Sequence, residues 1–409
     1  MEKRRTTTLH RFVWQAGGEV AGRAASLVSL VVAARVLGLG EYGRFVVLLA
    51  LLEGAMVPWK ATVLQAAAAL QAREADGGGW AATTARWWVL GTLVLGPAAF
   101  LFDGVRGMGV LLAASAATAL MFAPVPGLFL AGRQRRFAIG HTCSQVARLG
   151  FTVALGAAGW LTPRTALLAV AGGSLVGAIA LWNRNARFGG RARWLGREVA
   201  TEALRWGEVH APILVVAMLL GLSSAGGFDL AYKTIQAAAQ LLGGIGVIML
   251  PAFVRGEEPP SDVIARSLRL PTALGVGLAL AAGVGLGPLL ELLTGTELGL
   301  GAAPAAFVPV LLLAPWMGVS WTALVVLGGE RWLIPSQVSV SAVTVAASFL
   351  AAGGVWWAAV AVSAAHLMGS VVRWRGVRAL GHLPPPGWMS VGDWRRDLAW
   401  LGDAARRRA

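Results

Sequence analysis

Charged side chains recur at helical spacing inside long apolar stretches of this sequence. Glu19 and Arg23 lie four residues apart, and so do Asp229 and Lys233, which places each pair on one face of a helix. An ionisable group within a membrane helix costs roughly 2.5 to 3.5 kcal/mol on insertion scales, so it usually faces a cavity or a partner. Cations in a low-dielectric cavity attract anions strongly. Each pair also has a simpler interpretation, that its charges neutralise each other and only let the helix insert.

Two further polar patterns lie in the second and fifth apolar stretches. Glu53 and Lys60 are seven residues apart, and His141, Gln145 and Arg148 form one stripe at i, i+4 and i+7. Lys60 and Arg148 have no acidic residue four positions away. We therefore expect these two cations to face a cavity.

The elements that hold these residues are predicted from composition. Of the 409 residues, 56% are hydrophobic and 13% are charged, which is far from the composition of a soluble domain. A bilayer core about 30 Å thick needs roughly 20 apolar residues per helix, and about twelve such windows occur. They lack the period-two alternation of a barrel, so we expect an all-α integral membrane protein. The windows are about 12–37, 43–66, 82–102, 107–131, 138–160, 165–183, 205–222, 228–253, 270–293, 303–327, 332–352 and 354–373.

The basic residues predict the orientation. The net charge is +15, but most of the 35 Lys and Arg residues fall in loops on the side of the two termini. The predicted outer loops hold only Arg35, Arg44, Arg106 and Arg164. This asymmetry indicates a multi-pass protein with both termini in the cytoplasm, and it argues against nucleic acid as a partner.

The chain shows a weak internal repeat. "ARVLGLGEYGRFVVLLALLEG" (34–54) and "AMLLGLSSAGGFDLAYKTIQAAAQLL" each join two apolar runs through glycines and an aromatic residue, so Phe228 is predicted to take the place of Tyr42. Tyr42 itself is expected to be an anchor at the membrane interface. The predicted domains are an N-lobe (1–183), a basic cytoplasmic connector (184–204), a C-lobe (205–376) and a basic amphipathic tail (377–409).

The sequence predicts no cofactor, no metal site and no catalytic residue. The single cysteine, Cys143, excludes an intramolecular disulfide and a cysteine metal cluster. Neither a GxxxxGK[ST] loop nor an HExxH motif occurs. An ion gradient or the gradient of a substrate must then supply any energy that transport needs.

Three segments resemble a known family. The stretch 34–54 resembles the first hairpin of polysaccharide biosynthesis flippases, which are O-antigen and capsule exporters of the multidrug/oligosaccharidyl-lipid/polysaccharide superfamily. "GGFDLAYKTIQAAAQLLGGIGVIMLPAFVRG" (226–256) is similar to the eighth helix of that family, although Phe228 stands where many relatives have Tyr. "TGTELGLGAAPAAFVPVLLLAPWMGVSWTALVVLGGERW" is similar to its ninth-to-tenth turn and tenth helix.

The resemblance implies two six-helix lobes around a central cavity in the bacterial cytoplasmic (inner) membrane. It also implies a substrate, a polyprenyl diphosphate-linked oligosaccharide that alternating access carries to the outer leaflet, with membrane lipids and glycan polymerase or ligase machinery as further partners. Fixed cations would hold the diphosphate. The candidates for substrate binding are Arg23, Lys60, Arg148, Lys233 and Gln145.

The candidates for ion coupling are the titratable groups inside spans, Glu19, Glu53, Asp229 and His366, the last because imidazole titrates near neutrality. Alternatives to the flippase are a drug or small-molecule exporter of the same superfamily, a membrane glycan polymerase or ligase, and a scaffold protein. A drug exporter would favour carboxylates in its cavity, and a polymerase would have a large outer loop, which this sequence lacks. Loss of a scaffold's cavity charges would be tolerated.

Overall fold

The structure, a computed structural model, describes residues 2–57, 97, 100, 104–122, 134–181, 196–248, 259–384 and 388–390. Its regular elements are helices, and these ranges contain no strand. In chain order the long helices are α1 (Glu2–Ala55), α2 (Gly104–Phe122), α3 (Gln134–Ala157), α4 (Pro163–Leu181), α5 (Gly196–Leu220), α6 (Leu222–Ile248), α7 (Pro260–Thr294), α8 (Val308–Val326), α9 (Leu333–Ser348) and α10 (Val355–Ala379).

The described helices follow the predicted spans in order along the chain. Within the described part of the chain, eight helices are long and apolar enough to cross a membrane. The prediction of an all-α membrane fold is therefore confirmed. Most of the third predicted span, the end of the second and most of the tail lie outside the described residues.

Some helices extend beyond the apolar windows that predicted them. α5 begins at Gly196, so the end of the predicted connector is helical, and α7 begins at Pro260, before the window at 270–293. Proline is well suited to the first turn of a helix, and Asp262 there complements the helix dipole. The predicted starts were late because hydropathy reports the apolar part of a helix and not its charged ends.

The predicted hinge in the first repeat segment is a single residue. Gly38 leaves helical geometry with φ 73° and ψ 160°, and the chain is helical on both sides of it within α1. A positive φ costs glycine little, which explains the residue type at this break. Tyr42 lies inside the helix that follows and not in a loop.

The helices pack in two groups, joined mainly by α1. We call α1–α4 the N-lobe, in which α1 packs on α3 and α4, and we call α5–α10 the C-lobe, in which α8 packs on α6, α7 and α10, and α9 packs on α5 and α10. α1 also packs along α6. One hydrophobic core includes side chains of both lobes, such as Phe45 and Phe228.

The contact between α1 and α6 is reciprocal. Gly43 packs directly on the carbonyl of Leu222, and Gly226 packs in the same way on the carbonyl of Leu39, where a Cβ would lie 2.6 Å from the oxygen. α6, like the second half of α1, follows a positive-φ glycine, Gly221. The two segments thus meet around a local twofold axis. In this register Ala225, and not Phe228, is the counterpart of Tyr42. The predicted pairing of Tyr42 with Phe228 was therefore wrong by one turn.

Candidate functional site

A cavity of about 360 Å³ lies within the N-lobe, between α1, α2 and α3. Four of the predicted site residues line it: Arg23, Glu53, Gln145 and Arg148. The other lining residues are Gly22, Ser26, Phe122, Phe137, Ala138 and His141. The structure thus brings together predicted site residues from three separate helical segments.

Helical periodicity explains why these side chains converge. His141, Gln145 and Arg148 share one face of α3, and that face forms one wall of the cavity. Arg23 comes from α1 before Gly38, and Glu53 comes from α1 after it. The break at Gly38 lets both halves of α1 border the same cavity.

Close packing holds α1 against α3 beside the cavity. Thr142 donates to the carbonyl of Gly18 at 2.9 Å, and a Cβ on Gly18 would lie 3.0 Å from the Cβ of Ala138. The hydroxyl groups of Ser29 and Thr152 lie 3.1 Å apart on the far side of Arg148. The two helices are therefore fixed at both ends of the polar wall.

Arg148 is the deepest charged residue of this wall. It is 9% exposed, and α4 packs tightly behind it, since a Cβ on Gly173 would lie 2.9 Å from the Cβ of Arg148. Its guanidinium interacts electrostatically with the carboxylates of Glu53 and Asp229. Its Nη2 is buried without a hydrogen-bond partner among the described residues. A buried guanidinium with an unfilled donor is suited to an anion, because it donates to two oxygens in parallel.

The described residues that line the cavity include two fixed cations and one carboxylate. Arg23 and Arg148 are the cations, Glu53 is the carboxylate, and His141 and Gln145 add further polar groups. The described residues contain no group of three or more His, Cys, Asp or Glu that could hold a metal ion. Cations outnumber carboxylates among the described lining residues, an arrangement that suits an anion.

Asp229 and Lys233 lie elsewhere, on α6. Neither lines the N-lobe cavity. Asp229 is fully buried and accepts a hydrogen bond of 3.0 Å from the hydroxyl of Tyr42, which crosses from α1 to α6. Lys233 interacts electrostatically with Asp229. The acidic residue of this predicted pair therefore has partners in both lobes.

Tyr42 lies at the contact between the lobes, where the sequence prediction did not place it. We expected an anchor at the membrane interface, but the side chain is 0% exposed. The prediction was wrong because an apolar window does not reveal which neighbouring helix covers a residue. The glycines at 38, 40 and 43 were the usable signal, because they allow another backbone to approach closely.

His366 belongs to a second polar cluster, inside the C-lobe. Its Nδ1 lies 2.9 Å from the carbonyl of Val362, and its Nε2 lies 3.8 Å from Oε1 of Glu208. Gln337 donates to Oε2 of Glu208 at 2.6 Å, and Arg373 is within electrostatic reach of the same carboxylate. The sequence prediction did not single out Glu208, although it lies inside the predicted span 205–222 and the rule for charges in spans applies to it.

Two predicted residues cannot be placed in either site. Lys60 lies outside the described residues. Glu19 lies within helix α1, but its side chain is not among those described.

Comparison with known proteins gives a match at the level of the fold. No protein-family model matches the chain, and no curated protein does. A solved structure titled "Crystal structure of MATE in the bent conformation" matches with a TM-score of 0.51, at 14% sequence identity, over 91% of this chain and 96% of that chain. The similarity extends over nearly the whole of both chains. This chain therefore has the fold of that MATE structure.

Proposed function

We propose that this chain is a membrane transporter of the multidrug/oligosaccharidyl-lipid/polysaccharide superfamily, and within it a flippase for a polyprenyl diphosphate-linked oligosaccharide. Alternating access would carry the cargo from the inner to the outer leaflet of the bacterial cytoplasmic membrane. The fold of the MATE structure supports the assignment to this superfamily. The N-lobe cavity, with Arg23 and Arg148 on its walls, is the observation that supports the flippase function.

The cavity suits the head group of such a lipid. A volume of about 360 Å³ is within the range of small-ligand pockets, so it fits a diphosphate, while the polyprenyl chain stays in the bilayer. Two guanidinium groups can share the phosphate oxygens, and burial strengthens that attraction. Glu53 offsets part of the positive charge of the empty cavity, and it competes with the cargo for the cations.

The test is export by variants of the two cations. Arg23→Gln and Arg148→Gln, made singly in a host that lacks its own flippase, should reduce surface glycan and leave lipid-linked oligosaccharide in the inner leaflet. Arg44→Gln is the matched control, because the side chain of Arg44 is partly exposed (38%), pairs with Glu41 at 3.2 Å and does not line the cavity. Full export by both cavity variants would overturn the proposal.

A drug exporter is the second candidate, and the fold of the MATE structure together with Glu53 in the cavity supports it. A cationic drug would bind the carboxylate and be repelled by the two arginines. Glu53→Gln should then abolish drug resistance while both arginine variants retain it. The flippase instead requires both arginines, so the two arginine variants separate the two functions.

A further inference from the structure

The hydrogen bond between Tyr42 and Asp229 is a buried polar link between the lobes. Both side chains are 0% exposed, and the hydroxyl of Tyr42 lies 3.0 Å from Oδ2 of Asp229. Removal of one partner from a buried hydrogen bond leaves the other unsatisfied, which is costly. This bond therefore favours the arrangement in which α1 and α6 are in contact.

The bond lies where the two backbones meet most closely. Gly226 lies against Tyr42 itself, since a Cβ there would be 3.2 Å from the Cδ1 of the tyrosine. Gly38 and Gly221, both with positive φ, stand just before the two contacting segments. The link thus lies close to two breaks in helical geometry, one at Gly38 within α1 and one at Gly221 between α5 and α6.

The link marks one end of the molecule. Arg35, close to Gly38, donates to the carbonyl of Leu293 at 3.4 Å, and Gly227 packs on the carbonyl of Leu298. The sequence places all these segments in or beside outer loops. The contact around Tyr42 and Asp229 therefore closes the predicted outer end of the bundle.

Asp229 also has an electrostatic connection to the N-lobe cavity. The cations that act on its carboxylate are Lys233, on its own helix, and Arg148, which lines the cavity on α3. Oδ1 of Asp229 and Nη2 of Arg148 are both buried without a hydrogen-bond partner among the described residues. Arg148 thus has spare hydrogen-bonding capacity and shares its charge between the carboxylates of Asp229 and Glu53.

We propose that the Tyr42–Asp229 bond is a latch that keeps the outer end closed, and that an anion bound to Arg148 weakens it. This inference depends on the proposed anion site in the cavity. An anion there takes up the positive charge of Arg148, so the buried carboxylate of Asp229 loses part of its compensation. Contact between the lobes then becomes less favourable, and the two sites are coupled through one guanidinium.

The test measures a distance across the outer end in the full chain. One spin label is attached at Ala158→Cys in the N-lobe and the other at Glu297→Cys in the C-lobe, and both positions are exposed. The change Cys143→Ser removes the native thiol, so that only these two positions are labelled. The labelled protein in lipid nanodiscs is measured with and without inorganic pyrophosphate. We expect pyrophosphate to shift the population towards longer distances.

Variants separate the hydrogen bond from the charge. Tyr42→Phe should raise the ratio of open to closed forms about fivefold or more without pyrophosphate, as loss of a buried hydrogen bond implies. Tyr232→Phe is the matched control, because Tyr232 is the other tyrosine of the chain and donates within the C-lobe, to the carbonyl of Glu208. Asp229→Asn keeps an acceptor for Tyr42 but no charge, so it should stay closed and ignore pyrophosphate.

The outcomes distinguish the latch from the anion site. If pyrophosphate raises the Tm of the wild-type protein but leaves the distance unchanged, the latch is wrong and the anion site stands. If pyrophosphate does not change the Tm, the anion site and the proposed function fail. A Tyr42→Phe variant that keeps its thermal transition and the wild-type distance would also overturn the latch.

Discussion

Nε2 of His366 lies 3.8 Å from Oε1 of Glu208, and the two side chains come from α10 and α5. Because a carbonyl only accepts, the contact of Nδ1 with Val362 places a proton on Nδ1 in the neutral ring. A second proton must then go to Nε2, which faces the carboxylate. A protonated His366 ring would thus form an ion pair with Glu208 inside the C-lobe.

The first prediction concerns coupling to protons. In liposomes, transport by the wild-type protein should respond to an imposed pH gradient, and His366→Gln and Glu208→Gln should each abolish the response, since each removes one side of the pair. His382→Gln, near the end of α10, is the control. A wild-type response in His366→Gln, or no response in the wild-type protein, would exclude this pair as the coupling site.

The second prediction concerns Glu53 and the strength of anion binding. Glu53→Gln should bind pyrophosphate about threefold to tenfold more tightly, because it removes a negative charge near Arg148 while leaving both arginines in place. Tighter binding should also slow release, so transport falls although affinity rises. Equilibrium binding and single-turnover export measure the two quantities, and unchanged affinity would mean that Glu53 does not compete with the anion.

The polar wall of the N-lobe cavity could be predicted because its information is local. His141, Gln145 and Arg148 share a helix face whatever packs against it, and the cost of a charge in a membrane directs that face to a cavity. Hydropathy located the helices because it also depends only on residues that are close together in the sequence. Even so, nothing in the spacing showed that Arg23 would face the same cavity as Arg148, since that depends on how α1 packs on α3.

The residues that were missed depend on partners distant in sequence. Tyr42 meets Asp229 and His366 meets Glu208 only after the helices have packed. The pairing of Tyr42 with Phe228 matched one aromatic residue to another, whereas the packing matches glycines, which set how closely two backbones approach. In this chain glycines were the better guide to the interlobe contact.

The third prediction tests that close approach. Gly43→Ala should destabilise the protein by about 1 to 3 kcal/mol, because a Cβ there overlaps the carbonyl of Leu222 and backbone atoms cannot give way cheaply. Gly277→Ala, in α7, is the control, since a Cβ there meets no atom within 4 Å. Alanine is the better helix former, so this control should be neutral or stabilising. Thermal unfolding in detergent measures both, and equal Tm values would contradict the packing.

The last prediction concerns Arg373, which joins α10 to α8 and α9. Its Nε donates to Ser336 at 2.8 Å, its Nη1 donates to the carbonyl of Met317 at 3.3 Å, and its guanidinium lies 5.0 Å from the centre of the Trp321 ring. Lysine keeps the charge but has neither the planar fork nor the two donors in this geometry.

Arg373→Lys should therefore destabilise the C-lobe by about 1 to 3 kcal/mol, the cost of leaving a buried polar group unsatisfied. Arg375→Lys is a matched control on the same helix, because Arg375 is exposed. Lysine keeps a positive charge near Glu208, so the fraction of the variant that stays folded should still respond to the pH gradient. Equal unfolding temperatures for the two variants would mean that the charge alone matters at position 373.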